Sequence, residues 1–237
     1  MANYQLSDVL EYRARSHINI YDSPKCDRLA TQASLGRHLR PLKLSLKQSD
    51  VNLDTTAVMV RLCEDDYPGW LDIRDVELLD VTETVYHPLE LSEAEINEKL
   101  PIAITFAREA MNQSNYYLWG GTVGPNYDCS GLIQATFVAA GIWLPRDAYQ
   151  QEPFTQPVSN INDLEPGDLV FFGTPEKVTH VGLYLGDNRY IHSSGKAQGR
   201  NGIGIDVLSE DGDKVSQDYY RQLRGYGKVV ASYQSSC

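Results

Sequence analysis

The order of hydrophobic periods along the 237 residues limits the fold more than any other feature. Short β-rich runs come first, helical repeats follow, and a series of strand-like alternations closes the chain. From about Arg13 to Asp80, runs such as Ala57-Val-Met-Val-Arg-Leu-Cys63 and Gly69-Trp-Leu-Asp-Ile73 are separated by Asp, Ser, Pro and Gly clusters, which predicts a small all-β barrel over 1–85. An acidic segment follows, in which Ser92 and Glu95 have the spacing of a capping box, so 86–100 reads as a linker with a short helix. Residues 101–237 then start with Ile102, Phe106 and Ala110 at helical spacing on one face. A loop dense in Tyr, Trp and Gly leads to Asp128-Cys-Ser-Gly131 and a second helix, with Gly141 as its stop. The remaining runs, 167–172, 179–185, 189–193, 204–207 and 227–231, alternate like strands. Helices followed by strands imply an α+β domain with a mostly antiparallel sheet.

Composition removes several classes of function. With 21 Lys+Arg against 32 Asp+Glu the chain carries a net charge of −11, and both parts are acidic, which argues against a nucleic-acid partner. A hydrophobic content of 42% with 22% charged residues is that of a globular protein. No run approaches the roughly 18 apolar residues of a membrane span. The N-terminal residues lack a basic and apolar leader pattern, so the expectation is a soluble, cytoplasmic protein, taken as a monomer. Cys26, Cys63, Cys129 and Cys237 are scattered and form no CxxC pair, which predicts free thiols and no structural zinc site.

One of these cysteines sits apart. Cys129 lies where a Gly-rich loop becomes a helix, at the positive end of the helix dipole, a position that favours thiolate, the nucleophilic form. His180 alternates with an apolar row on a later strand and projects from the opposite face. His192 follows twelve residues on, across the turn 186–189, which suits a neighbouring antiparallel strand and lets it orient His180 by a hydrogen bond. Cys, His and His are also acceptable zinc ligands, but a thiol beside an imidazole is already a complete nucleophile–base pair, and no metal or cofactor is assigned. His17, His38 and His87 read as surface or loop residues.

The ordered set Tyr117-x-Trp-Gly-Gly, Asp128-Cys-Ser-Gly131, Leu164-x-Pro-Gly-Asp-Leu169, Thr179-His-Val-Gly-x-Tyr184 and Ile191-His-Ser193 resembles the NlpC-type family of bacterial cell-wall cysteine peptidases over about residues 100 to 231. The resemblance implies a papain-like α+β domain with its nucleophile at a helix N-terminus. It implies Cys129 as nucleophile, His180 as base, His192 as orienting residue and Tyr117 near the oxyanion site. The first part resembles bacterial SH3-type β-barrels through Pro68-Gly-Trp-Leu71. Together the two parts are similar to γ-D-glutamyl-L-diamino-acid endopeptidases, which implies murein peptides such as L-Ala-γ-D-Glu-diaminopimelate as substrate. Asp128 and Ser130 match the pair that recognises a free L-Ala amine in such enzymes, and both are equally natural helix caps. The loop Glu64-Asp-Asp-Tyr67 is the barrel segment suited to closing the same subsite, with Tyr67 as its contact, although a charge run is usually solvated surface. Pro145-Arg-Asp-Ala148 carries Ala148 where the family often has Ser. A related thiol-dependent amidase and a non-catalytic cell-wall binding module are the alternatives. A free-amine substrate points to recycling of released wall fragments.

Overall fold

The computed structural model describes residues 6–42 and 56–236, which leaves Cys237 outside the described residues. The chain divides into two compact units, Met1–Pro88 with Gln234–Cys237, and Leu89–Tyr233.

In the first unit, seven short strands are β1 (Tyr12–Ala14), β2 (Ile18–Tyr21), β3 (Leu29–Ala33), β4 (His38–Pro41), β5 (Ala57–Leu62), β6 (Pro68–Asp72) and β7 (Leu79–Val81). They form one antiparallel sheet in the order β3-β2-β6-β5-β4-β1-β7. Alternate residues turn inward, and Ile18, Ile20, Leu39, Val60, Leu62 and Leu71 make an apolar core. This is the SH3-like barrel that the strand spacing predicts.

The barrel corrects two readings of its charges. Glu64 and Asp65 are buried, and Arg37, itself buried, pairs with Glu64 Oε2 at 3.3 Å and Asp65 Oδ1 at 2.5 Å. Glu64 Oε1 also accepts the His38 N–H at 2.8 Å, yet burial pushes the Glu64 carboxyl above its ordinary value. The run is thus an internal ion-pair cluster rather than a solvated acidic loop, because a charge leaves water when an opposite charge meets it there. His38 is likewise no simple surface residue: its Nδ1 lies 2.5 Å from Glu11, which also binds Arg40.

The second unit opens with α1 (Glu93–Met111), one helix that runs unbroken through Pro101. Ser92 accepts the Glu95 N–H and the Glu95 carboxylate reaches back to the Ser92 N–H, so the capping box is formed, but the helix it opens continues past the linker boundary at 100. Of the predicted face, Ala110 is buried and Phe106 packs partly buried against Tyr127 and Leu132, while Ile102 departs. Ile102 is 52% exposed while Ile96, Ala103, Ala107 and Ala110 face the core. Small alanines let α1 approach its neighbour closely, which a face of bulky side chains would prevent.

The other elements are α2 (Cys129–Ala139), α3 (Ala148–Phe154), β8 (Gln156–Val158), β9 (Leu169–Gly173), β10 (Val178–Gly186), β11 (Arg189–Ser194), β12 (Gly202–Val207), α4 (Lys214–Tyr220) and β13 (Leu223–Lys228). Six antiparallel strands pair in the order β12-β11-β10-β9-β13-β8. The last strand lies earlier than the predicted 227–231. At Gly227 it passes so close to α3 that an added Cβ would lie 1.9 Å from Thr155 Oγ1. Ile133 and Phe137 of α2, the alanines of α1, and Val181, Leu183 and Ile191 of the sheet share one core. Aromatic side chains, Phe172, Tyr184, Tyr190 and Tyr219, fill a second cluster. No helix among the described residues is long and apolar enough to cross a membrane.

Candidate active site

The first turn of α2 is built by close backbone contact. A Cβ on Gly131 would lie 2.0 Å from the Gly121 carbonyl oxygen, and one on Gly121 would lie 2.5 Å from the Asn126 oxygen. Both positions therefore require glycine, and the Tyr117–Tyr127 loop lies directly on the helix start. Asp128 is the N-cap: Oδ1 accepts the Gly131 N–H at 2.7 Å, and Oδ2 accepts the Gly120 N–H at 2.8 Å. Arg146, 1% exposed, donates to the same two oxygens at 3.1 and 2.7 Å and to Ser130 Oγ at 2.9 Å. Gln151 of α3 donates to the Ser130 and Pro145 carbonyls. Asp128 and Ser130 are thus brought together at the helix start, Asp128 as its cap, with the carboxylate filled by five hydrogen bonds, the fifth from the Ser130 hydroxyl at 3.4 Å.

Cys129 lies in this first turn with its sulfur held by the backbone N–H groups of Ser130 and Val181. Val181 adjoins His180, so the sulfur meets β10 beside the base. The His180 ring stacks on Tyr219 with centroids 4.4 Å apart, and the Tyr219 hydroxyl feels the charge of Cys129. The core formed with α2 takes the Val181 side of β10, as the alternation predicts, and His180 lies among Phe172, His192 and Tyr219. His192 is on the adjacent strand as predicted, its Nδ1 2.7 Å from His180 Nε2. Its own Nε2 is 2.7 Å from Asp206 Oδ2, so both ring nitrogens are engaged. Tyr117 is half-buried beside the same group, and burial with the nearby Cys129 and Asp128 charges raises its hydroxyl, which stays a donor. Tyr67 belongs to the first unit, half-buried after β5, with its carbonyl accepting from the Leu62 N–H. Ala148 is buried at the start of α3 and offers no hydroxyl.

The electrostatics correct one expectation. Burial and the adjacent Asp128 carboxylate push the Cys129 thiol up to about 12, outweighing the N–H groups and Arg146, which lower it. Burial also holds His180 well below its usual value, so the resting pair is a neutral thiol beside a neutral imidazole. The helix start favours thiolate, but here desolvation wins.

A pH effect on stability follows. His192 is lowered from 6.5 to about 3, first by burial and then by Arg200. Between those values the unfolded chain binds a proton that the folded one does not, so folding stability is full above 6.5 and falls as the pH drops. The slope for this one group is about 1.4 kcal/mol per pH unit. Urea unfolding at pH 7 and pH 5 should show this loss, and His192→Gln should reduce the slope by the share of this one group while that of the likewise lowered His180 remains; an equal slope in the variant would refute the assignment.

Four residues of the site escape sequence reasoning. Arg146 and Gln151 bind α2 from outside the motifs, Tyr219 comes from a short polar helix, and Asp206 stands behind His192. Only Arg146 had a signal, its place in Pro145-Arg-Asp-Ala148.

With this geometry in hand, the comparison with known proteins is direct. Residues 114–224 match the NlpC/P60 family, and residues 20–76 match the bacterial dipeptidyl-peptidase Sh3 domain. The second unit carries an NlpC/P60 domain. It is joined to a first unit that carries a bacterial SH3-type domain. The chain is similar to the bifunctional muramidase/DL-endopeptidase CwlT of Bacillus subtilis, 33% identical over 131 residues, 53% of this chain and 40% of that protein. It is also similar to the gamma-D-glutamyl-L-lysine dipeptidyl-peptidase of the same species, 38% identical over 96 residues, 39% of this chain and 30% of that one. The matched segments thus span less than half of either relative. Among solved structures, an NlpC/P60 family protein from Bacillus cereus is 21% identical with a TM-score of 0.48, covering 93% of this chain and 64% of that one.

Proposed function

We propose that this NlpC/P60 chain is a cysteine endopeptidase that hydrolyses the γ-D-glutamyl–L-diamino-acid bond of murein peptides with a free N-terminal L-Ala. The observation that carries the reading is Cys129 at the start of α2, its sulfur against the N–H of the residue next to His180, with His192 bonded behind that base. His180 takes the thiol proton as sulfur attacks the γ-carbonyl carbon of D-Glu. The Cys129 N–H at the helix start and the Tyr117 hydroxyl are the proposed donors to the tetrahedral oxyanion. His180 then protonates the departing amine of the diamino acid, which leaves a γ-glutamyl thioester. Water, giving its proton to His180, releases L-Ala-D-Glu and restores the thiol.

Support for the bond comes from the relative named a gamma-D-glutamyl-L-lysine dipeptidyl-peptidase. The free-amine requirement rests on Asp128 and Ser130, and an amine would have to join a carboxylate that already accepts five bonds. A substrate with a free amine is a released fragment, so the proposed setting is wall-peptide recycling in the cytoplasm. The test is diaminopimelate release from L-Ala-γ-D-Glu-meso-diaminopimelate and from its N-acetyl form, with Cys129→Ala as the blank. Release from the free peptide alone is expected. Equal release from both forms would remove the amine requirement, and undiminished release by Cys129→Ala would refute the mechanism.

A further inference from the structure

His192 is not the end of the hydrogen-bond chain that begins at His180. It stands opposite Gly204 on β12, and Asp206, two residues along, reaches it diagonally on the same face of the sheet. Asp206 is 1% exposed, and a buried carboxylate needs a reason to be there. Oδ2 is 2.7 Å from His192 Nε2. Arg200 binds both carboxylate oxygens, and the Ser216 hydroxyl donates to Oδ1 at 3.4 Å. Gly204 leaves room for this pairing, because a Cβ there would already touch Arg200 Cδ at 3.4 Å. Arg200 continues to Asp213, the N-cap of α4, the helix that brings Tyr219 onto His180.

The hydrogens along this chain follow from which group is able to donate. A carboxylate ion-paired to arginine accepts, so His192 carries its proton on Nε2. Its Nδ1 is then an acceptor, and the partner there, His180 Nε2, must be the donor. That leaves His180 Nδ1 bare, with a lone pair for the thiol proton. If instead His192 carried its proton on Nδ1, His180 would hold its proton on Nδ1 and could not act as a base toward Cys129.

We propose that Asp206 is the positioning residue that selects the reactive tautomer of His180 through His192. The inference rests on reading Cys129 and His180 as the nucleophile–base pair. It extends the relay by one residue, with Arg200 holding the carboxylate in place. Asp206 touches no reacting atom and acts at two removes. In a serine protease, the carboxylate-to-amide change behind a single histidine lowers kcat about 10⁴-fold through the wrong tautomer, which sets the upper scale here.

Two measurements test this. Nitrogen-15 NMR of histidine-labelled wild-type protein at pH 7 should show both His192 and His180 protonated on Nε2; protonation of His192 on Nδ1 would overturn the proposal without any variant or substrate. The second uses Asp206→Asn, whose amide can present N–H to His192 Nε2. It should lower kcat on the L-Ala-γ-D-Glu-diaminopimelate peptide by about 10²- to 10⁴-fold with KM nearly unchanged, and shift both histidines toward the Nδ1–H form. A fall in kcat with both tautomers as in wild type would make Asp206 a structural residue and overturn the proposal, as would an unchanged kcat. The tautomers are read without turnover, so a chain inactive on this peptide would refute the proposed substrate and leave the tautomer result standing.

Discussion

Replacing His180 by Gln is expected to lower kcat for the murein peptide by about 10⁴- to 10⁶-fold while the protein stays folded. The size follows from the state of the resting pair. With the thiol pushed up to about 12 by burial, thiolate is scarce at pH 7, and in the proposed reaction the His180 imidazole is the base that takes the thiol proton as sulfur attacks. Gln keeps the volume stacked on Tyr219 and the bond to His192 but cannot take a proton. The residual rate of the variant should therefore rise about tenfold per pH unit through the alkaline range, as hydroxide replaces the missing base. Diaminopimelate release from pH 7 to 10, with circular dichroism melting as a fold control, checks both points. A variant within tenfold of wild type would show that His180 is not the base.

The second large effect concerns stability. Arg146→Met should destabilise the protein by about 3–5 kcal/mol, because it leaves the buried Asp128 carboxylate facing an apolar side chain. The loss should shrink when Asp128→Asn is added, since the uncompensated charge is then gone while an amide oxygen remains to cap α2. Urea unfolding of the two single variants and the double variant gives the coupling between them. Strictly additive losses would mean that Arg146 acts by packing alone. Activity should fall along with stability, because Arg146 also donates to Ser130, next to the nucleophile.

Much of this site is legible in the sequence because its signals are local. The glycines at 120, 121 and 131, the N-cap at Asp128 and the cysteine after it lie within a dozen residues, and backbone geometry alone ties them together. His180 and His192 are two strands joined by one turn, a spacing that implies pairing. The features that stayed hidden depend on partners distant in the chain. Glu64 and Asp65 look like a solvated run until Arg37 is folded against them. Asp206 sits in an ordinary-looking strand, and its role exists only because β12 lies beside β11. Tyr219 is carried on a seven-residue helix, Lys-Val-Ser-Gln-Asp-Tyr-Tyr, too short and polar to show a period. On α1 the period was visible and Phe106 and Ala110 follow it, but Ile102 points to solvent and the alanines at 103 and 107, which carry little apolar signal, complete the buried face.

The contact between Gly121 and the first turn of α2 has an evolutionary consequence. Because the Tyr117 loop and the Cys129 helix meet backbone to backbone, neither can shift without the other, so Cys129 and the residues proposed as its oxyanion donors can change only as one unit. Change at Gly121 or Gly131 is closed to any larger residue, whereas Ala148, buried at the start of α3, stands where the resemblance implies a serine in related chains. Within this domain, new substrate preferences should therefore arise at the start of α3 and in the loops beyond the strands, while the turn that carries the chemistry stays as it is.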